Sequence, residues 1–530
     1  VRSSATEEAF ARIKRDGGPE QQRQLQELMA NAAQQEISAR ESGSLGRGEL
    51  IELQKKEAEI ERRLIAGSAA WKEWRTPIEP AQVTSKLSQY SAFIDIMRFP
   101  KIDVVTGKAG DVLYAAIIYR PGQGPRFVLL GPAGPIESAV LDLRKNFANI
   151  WRPCTGADQC AHSGQLVLIG GERFNDNLSS TQAACALLYN LTMAKLRGAI
   201  GSATRLIVSP DAALDEIPWE ILRDGDGHYL VEAGFRISYL DSVRSLVYPP
   251  AKAEPRSPAA VVADVDYDGK QLPANTAAAI EKFPWDTEEV PAGDSPAGGS
   301  WQPLNGGKEI LRTLDELERT GKIGVVKKLP LGSEEEVMAL TQPAALFAHT
   351  HGFFNASPAD IATNGEGLNA GIILYGANRA FDPKAPGTDG WLMAKQIMLL
   401  NLRGTRLVAL MGCETGRGAE AGEGVQGLRH ALAVAGARST LLTLWQVGDL
   451  SVARFFGEFL IRSAPDSHRT MVEALADTQL AFVHGDVRES GSTAVSNRWR
   501  HPYFWAAATF AGQDGALNLE TGKEHAGPRR

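Results

Sequence analysis

Short apolar runs, each bounded by polar or glycine-bearing turns, alternate with amphipathic stretches along the second half of this chain. The runs typical of buried strands lie at 344–348, 406–411 and 438–444. The amphipathic stretches typical of helices lie near 307–319, 391–400, 424–435 and 451–462. Because strands alternate with helices, the pattern predicts an α/β fold with a mostly parallel sheet and helices on both of its faces.

The first half of the chain divides into two further segments. Residues 1–90 carry apolar positions at helical spacing in a Glu-, Gln- and Lys-rich background, which predicts a helical hairpin or bundle. It is either a solvated helix pair or the end of a longer helical array. Residues 91–250 begin with a strand pair around a Pro-Gly turn and continue as an α/β unit. We therefore expect domains at 1–90, 91–250 and 251–515, and a flexible tail at 516–530.

Composition narrows the function classes. The chain has 530 residues and a net charge of −7, which argues against a nucleic-acid-binding surface. No window approaches about 18 consecutive apolar residues, so we expect no membrane-spanning segment. Four cysteines are too few for a disulfide scaffold, and Cys185 falls in a helical stretch as a small core residue. We expect a cytoplasmic protein, with the periplasm left open because Cys154 and Cys160 flank one polar loop and could be joined.

Two of the predicted strands end in turns that carry chemistry. His349-Thr350-His351-Gly352 follows one strand, and Met411-Gly412-Cys413-Glu414-Thr415-Gly416 follows another. In an open α/β sheet, ligands bind just beyond the carboxyl ends of neighbouring strands. The pattern therefore predicts that His351 and Cys413 lie side by side as base and thiol nucleophile. The backbone N–H groups of Gly352 and Cys413 would then form the oxyanion hole.

Two rival interpretations of these turns fit the sequence less well. In the nucleophile elbow of α/β-hydrolases a glycine stands two residues before the nucleophile, and Met411 occupies that position here. The hydrolase order also places the nucleophile before the histidine, whereas here the histidine comes first. Alternatively, His349 and His351 would share one face of a strand as metal ligands, but no third ligand is apparent. We expect neither a metal nor another cofactor.

Beyond the two turns, several motifs resemble the CHAT domain, a caspase-like cysteine protease domain of the caspase and separase clan. These motifs are Asp389-Gly390-Trp391-Leu392, Gly422-Glu423-Gly424, Leu444-Trp445-Gln446-Val447-Gly448-Asp449, His501-Pro502-Tyr503-Phe504-Trp505 and the earlier Leu214–Leu222. The resemblance covers roughly residues 90–515. It implies a caspase-like catalytic domain at 251–515, preceded by a pseudo-protease-like unit at 91–250. The helical start resembles the end of the tetratricopeptide arrays that often precede CHAT domains.

The resemblance implies a cysteine endopeptidase that cuts a partner protein with a His351–Cys413 dyad. It further implies regulation by a protein partner or by upstream helical repeats, and a role in bacterial defence in some relatives. Asp449 resembles the separase residue that selects basic P1 side chains in the S1 pocket, with Trp445 in the pocket wall. Alternatively, Asp449 caps the helix that begins near Ser451. The other functions to be distinguished are a non-catalytic scaffold or sensor and a dyad-dependent acyltransferase or esterase.

Overall fold

The computed structural model describes most of the chain from residue 77 onward. The described residues are 77–103, 108–153, 166–249, 253–270, 300–354, 370–379, 390–412, 415–416, 418–421, 424–487 and 497–519, with scattered helical residues between 20 and 63. The predictions for Cys154, Cys160, Asp389 and Cys413, and most of those for residues 1–76, fall outside these ranges.

The N-terminal half of the described chain is residues 77–249. Its strands are β1 (Ser91–Ile102), β2 (Ala109–Tyr119), β3 (Arg126–Pro132), β4 (Trp151–Pro153), β5 (Leu166–Leu168), β6 (Arg205–Ser209) and β7 (Arg236–Tyr239). Its helices are α1 (Pro80–Thr84), α2 (Ala133–Ala148), α3 (Gly171–Leu191), α4 (Met193–Ile200) and α5 (Val243–Val247), with 3₁₀ turns at Ala212–Glu216 and Trp219–Ile221.

The C-terminal half is residues 253–519. Its strands are β8 (Ala259–Val262), β9 (Val326–Lys328), β10 (Ala345–Ala348), β11 (Gly352–Phe354), β12 (Ala370–Ile373), β13 (Trp391–Met393), β14 (Leu407–Leu410), β15 (Gly418–Ala421), β16 (Gly424–Gly427), β17 (Ser439–Thr443) and β18 (Ala508–Gly512). Its helices are α6 (Gly306–Arg319), α7 (Glu334–Met338), α8 (Ala394–Ile397), α9 (Leu428–Ala435), α10 (Asp449–Ser463), α11 (Met471–His484) and α12 (Pro502–Trp505). Short 3₁₀ turns lie at Ala377–Arg379, Pro465–Ser467 and Asn497–Arg500.

One sheet of eleven strands runs through both halves of the described chain, in the order β3-β2-β1-β6-β7-β18-β17-β14-β10-β8-β9. Strands β9, β8, β10, β14 and β17 pair in parallel, as do β1, β6 and β7. Strand β18 joins the two groups, antiparallel to β17 and parallel to β7. The predicted α/β fold with a mostly parallel sheet is therefore confirmed. The domain boundary at 250/251 stays a prediction, and the sheet crosses it without interruption.

Some elements differ from their predicted form because tertiary pairing outweighs local propensity. The predicted helix at 391–400 begins as strand β13, which pairs with β12 in a three-stranded sheet and buries Leu392 completely. The predicted helix at 424–435 likewise begins as strand β16 of a hairpin, and becomes helical only at Leu428. Leu517 and Leu519 are buried, so the packed structure extends four residues into the predicted tail.

Buried contacts bind the two halves together. The guanidinium of Arg429 at the start of α9 lies 2.9 Å from the carboxylate of Asp215, with both side chains almost inaccessible. Burial raises the pKa of Asp215, and the positive charge of Arg429 opposes that rise. Removing one partner of such a pair would leave a buried, uncompensated charge. Nearby, the Trp445 and Phe147 rings pack with their centroids 4.4 Å apart across the same boundary.

The Leu214–Leu222 motif forms part of the N-terminal core. The fully buried Trp219 donates its backbone N–H to the Tyr239 hydroxyl at 2.7 Å, and that hydroxyl donates to Glu220 at 2.6 Å. Burial raises the pKa of Glu220 to about 7. Cys185 is also fully buried, as predicted, and burial raises the pKa of its thiol to about 12. Cys185 therefore stays protonated and serves as a core residue.

Acid should destabilise the fold through His501. Its Nδ1 accepts from the Tyr503 backbone N–H at 3.1 Å, its Nε2 faces the Asn177 side-chain oxygen at 3.0 Å, and burial lowers the pKa of His501 to about 3. Between pH 6.5 and about 3, the His501 imidazole is therefore protonated in the unfolded chain but neutral in the folded chain. Stability is full above pH 6.5, and this group lowers the free energy of unfolding by up to about 1.4 kcal/mol per pH unit below it.

A His501→Asn variant should keep a cap on α12 but lose the titrating group. We expect it to be less stable than the wild type at pH 7.5 and to show a shallower loss of stability towards pH 5. Urea denaturation at several pH values measures both slopes. Equal slopes would show that His501 does not carry this acid sensitivity.

Candidate active site

The two chemistry-bearing turns follow neighbouring strands. Strands β10 and β14 pair in parallel, with Ala348 opposite Leu410 at their carboxyl ends. Just past that pair, the Met411 backbone N–H donates to the Ala348 carbonyl at 2.7 Å. The predicted adjacency of the two strand ends is therefore confirmed. The histidine turn and the cysteine turn leave the sheet from the same edge.

Gly412, the residue before Cys413, lies directly against the histidine turn. A methyl group added at Gly412 would lie 2.5 Å from the Thr350 carbonyl oxygen and 2.9 Å from the Gly352 nitrogen. Both are backbone atoms, which cannot rotate away as the end of a side chain can. Only a residue without Cβ fits between the strands at this point.

Cys413 and Glu414 lie outside the described residues, but the segments on both sides of them are held in place. Thr443, at the end of β17, donates its hydroxyl to the Gly412 carbonyl, and its own carbonyl accepts from the Gly416 N–H at 2.7 Å. The Thr415 hydroxyl donates to the Leu410 carbonyl at 3.1 Å and accepts from the Thr443 N–H at 3.1 Å. The turn that carries Cys413 is thus anchored at both ends to fixed strands.

His351 is buried with only 3% of its surface exposed, and its orientation is set by a backbone carbonyl. Its Nε2 lies 2.8 Å from the Gln302 carbonyl oxygen. A carbonyl only accepts, so Nε2 carries the proton in the neutral ring, and Nδ1 holds the lone pair that takes up a proton. The Trp301 and Tyr267 rings each lie 5.0 Å from the imidazole, centroid to centroid. This burial lowers the pKa of His351 to about 4.

Gln302 was not identified from the sequence, and no sequence signal could have identified it. Its contribution is a main-chain carbonyl, which every residue type carries, and it stands 49 positions before His351. We call the segment Trp301–Gly306, which leads into α6, the strap. Its course over His351 is a product of the tertiary fold.

His349 is also completely buried, but it serves a different neighbour from His351. Its Nε2 lies 3.2 Å from the Oδ1 atom of Asp449, although the two groups are not aligned for a hydrogen bond. The described residues contain no group of three or more His, Cys, Asp or Glu side chains that could hold a metal ion.

Asp449 and Trp445, the predicted substrate-binding residues, are both buried. Asp449 is the first residue of α10, and its carboxylate accepts the backbone N–H groups of Asn305 and Gly306 in the strap. The Trp445 indole donates to the Tyr503 carbonyl at 3.1 Å. The structure thus brings Asp449 close to the histidine turn through His349, while Trp445 lies between the two halves. Their roles in substrate binding stay predictions.

The family model of the CHAT domain matches residues 182–513. This span is more than half of the chain, so the protein belongs to the CHAT domain family, as its motifs indicate. A comparison with curated protein sequences found no match. The described part of the chain has no helix with the length and apolar character needed to cross a bilayer.

Two solved structures illustrate the wider similarity. A separase–securin complex from Saccharomyces cerevisiae aligns with 88% of this chain at 9% identity and a TM-score of 0.38. The alignment covers 34% of that chain, so the present protein spans about a third of its length. The Arg-specific cysteine proteinase gingipain R (RgpB) aligns with 73% of this chain and 76% of its own, at 13% identity and a TM-score of 0.34.

Substituting Gly412 should separate the two turns. In Gly412→Ala the new methyl group meets two backbone atoms, and we expect a loss of stability of about 1–3 kcal/mol from overpacking. Chemical denaturation measures this loss. Gly198→Ala is the matched control, because nothing lies within 4 Å of a Cβ at that helical glycine. The control should be neutral or stabilised by up to about 1 kcal/mol. Equal behaviour of the two variants would contradict a tight contact at Gly412.

Removing the Trp301 ring should return water to His351. In Trp301→Ala we expect the pKa of His351 to rise by about one unit towards 6.5, because the charged imidazolium is then better solvated. Titration of histidine ring signals by NMR, with exposed His468 as internal reference, measures the change. An unchanged or lower pKa would show that Trp301 does not keep His351 dry.

Proposed function

We propose that this protein is a cysteine endopeptidase in which His351 activates Cys413. The observation that carries the proposal is the state of His351. It is buried, fixed by the Gln302 carbonyl at 2.8 Å, and it lies beside the turn that carries the cysteine. Because burial lowers the pKa of His351 to about 4, the ring is neutral at physiological pH and able to accept a proton.

The chemistry that follows is acyl transfer through a thioester. Nδ1 of His351 removes the proton from the Cys413 thiol, and the sulfur attacks the carbonyl carbon of the scissile peptide bond. The imidazolium then gives this proton to the leaving amine as the C–N bond breaks. A water molecule, deprotonated by the same ring, hydrolyses the thioester and restores the thiol. The Gln302 carbonyl stabilises the imidazolium by accepting from its Nε2–H.

The backbone N–H groups of Gly352 and Cys413 are proposed to stabilise the oxyanion. The Gly352 nitrogen lies only 2.9 Å from where a Cβ at Gly412 would stand, which supports a site in which both turns contribute donors. Removing one donor of this kind lowers kcat by a factor of about 10²–10³.

The preference for a basic P1 residue rests on Asp449 and stays a prediction. Its carboxylate already accepts two backbone N–H groups of the strap, at 2.6 Å from Asn305 and 3.0 Å from Gly306. An Arg or Lys side chain would have to pair with the carboxylate in addition to these donors or in place of them. Trp445 would contribute to the wall of the same pocket.

The biological setting of the proposal comes from the family resemblance. The substrate is proposed to be a partner protein, and activity is proposed to depend on a second protein or on helical repeats upstream. A cytoplasmic role in bacterial defence fits that resemblance, with the periplasm as the alternative compartment. Neither a nucleic acid nor a membrane is needed for the proposed reaction.

Cleavage of a mixed peptide library, read by mass spectrometry, tests the proposal. The wild type is compared with Cys413→Ala and His351→Gln. We expect cleavage to fall at least about 10³-fold without the thiol, and about 10²–10⁴-fold without the base. Cysteine-selective labelling by iodoacetamide is measured in parallel, because a latent enzyme would still show a reactive thiol.

The outcomes separate the competing functions. Cuts after Arg or Lys support the S1 role of Asp449, while cuts after other residues keep the peptidase and reject the basic preference. Hydrolysis of esters alone, with peptides untouched, would indicate an esterase or acyltransferase. If Cys413 labels no faster than a free thiol and independently of His351, the protein is a non-catalytic scaffold.

A further inference from the structure

The strap is fastened to the rest of the molecule on both sides of the Gln302 carbonyl. Upstream, the Asn378 side-chain oxygen accepts from the Trp301 N–H at 2.6 Å, and its amide nitrogen donates to the Trp301 carbonyl at 3.0 Å. Downstream, the Asp449 carboxylate accepts from the N–H groups of Asn305 and Gly306 at 2.6 and 3.0 Å. We call the side chains of Asn378 and Asp449 the two clasps of the strap. Along the chain, the carbonyl that orients His351 lies between the residues that they bind.

Asp449 is built into this position rather than lying beside it by chance. It is only 9% exposed, and it sits where α10 packs against the start of α6. A methyl group at Gly306 would lie 2.6 Å from both the Asp449 carbonyl and its Oδ1 atom, so only glycine allows this approach. Charge-assisted bonds from a carboxylate to backbone N–H groups are short and strong. Both carboxylate oxygens are used in these bonds.

The two clasps bind the strap on the two sides of Gln302 along the chain. Asn378 lies in the 3₁₀ turn Ala377–Arg379, and Asp449 begins a helix about seventy residues later. Among the described residues, the hydrogen-bond partner of the His351 ring is the Gln302 carbonyl, and neither clasp bonds to the ring itself. Asn378 influences the ring through the course of the strap. Asp449 also acts through the strap, and its negative charge raises the pKa of His351 as well.

We propose that Asp449 and Asn378 are positioning residues: they hold the strap so that the Gln302 carbonyl keeps the His351 ring aligned for the Cys413 thiol. This inference rests on the proposed function and deepens it. It gives Asp449 the role of positioning His351, the base of the dyad, whereas the sequence predicted a role for Asp449 in the S1 pocket. A change at Asp449 then affects every substrate equally, because it acts on the catalytic base and not on a P1 side chain.

Three readouts test the inference: hydrogen–deuterium exchange, thiol alkylation and peptide cleavage. The first two need no enzymatic activity. Hydrogen–deuterium exchange of the peptide that spans the strap reports whether the clasps hold it. The rate of Cys413 alkylation by iodoacetamide, measured from pH 5 to 9, reports whether His351 still activates the thiol. The variants are Asp449→Asn, which keeps the side-chain shape, and Asn378→Ala. The control is Asp466→Asn, an exposed carboxylate just beyond the end of α10.

We expect strap exchange about tenfold faster in both variants. Asp449→Asn loses the charge that strengthens its bonds to Asn305 and Gly306, and Asn378→Ala loses two side-chain bonds to the Trp301 backbone. Alkylation at pH 7 should be roughly tenfold slower, and its pH profile should shift towards that of a free thiol near pH 8.5. Cleavage after all P1 residues should fall by one common factor through kcat. Asp466→Asn should match the wild type in all three measurements.

Two results would overturn the inference. One is a folded Asp449→Asn protein with unchanged alkylation that loses cleavage after Arg and Lys only, through KM, as an S1 carboxylate requires. The other is a released strap with unchanged alkylation. If Asp449→Asn does not fold, Asn378→Ala decides, because it releases the other end of the strap without removing a charge. Wild-type Cys413 labelling that is independent of His351 would reject the proposed function, and the exchange data would still show whether the clasps hold the strap.

Discussion

The arrangement of the candidate active site depends on one close approach between two backbones, at Gly412 and the histidine turn. Parallel pairing of β10 and β14 brings these turns to the same edge, and the absence of a side chain at Gly412 lets them come into contact. Because both contacting atoms belong to the main chain, this distance cannot be adjusted by rotamer changes. Thr443 then bonds to Gly412 and Gly416 from the other side, so the residues that flank Cys413 and Glu414 are held by a strand.

Burial of His351 has both a benefit and a cost. The surrounding Trp301 and Tyr267 rings lower its pKa to about 4 and keep it neutral, which a base requires. The same dry environment disfavours the imidazolium that forms during the proposed reaction. The Gln302 carbonyl offsets part of this cost, because it accepts a hydrogen bond that strengthens when the ring becomes charged. The strap therefore stabilises the charged His351 ring through a backbone carbonyl, a role that its side chains do not indicate.

The N-terminal half is a structural part of the site and not a separate attachment. The central sheet continues through it, and the Arg429–Asp215 pair joins it to the helix that follows the cysteine turn. Arg429 also faces the Gly416 carbonyl at 3.5 Å, so the contact reaches the turn itself. This continuity agrees with a family match that begins at residue 182, well inside the N-terminal half.

The sequence by itself determined the family, the α/β class, and the two strand ends that carry His351 and Cys413. These features are local: apolar periodicity defines a buried strand, and glycine marks a tight turn. Only the tertiary structure decided that Trp391 begins a strand, that Gln302 orients His351, and that the Asp449 carboxylate holds Asn305 and Gly306. These contacts join residues up to 144 positions apart, and in each of them at least one partner contributes main-chain atoms. Because every residue carries main-chain atoms, the pattern of side chains along the sequence does not predict these contacts.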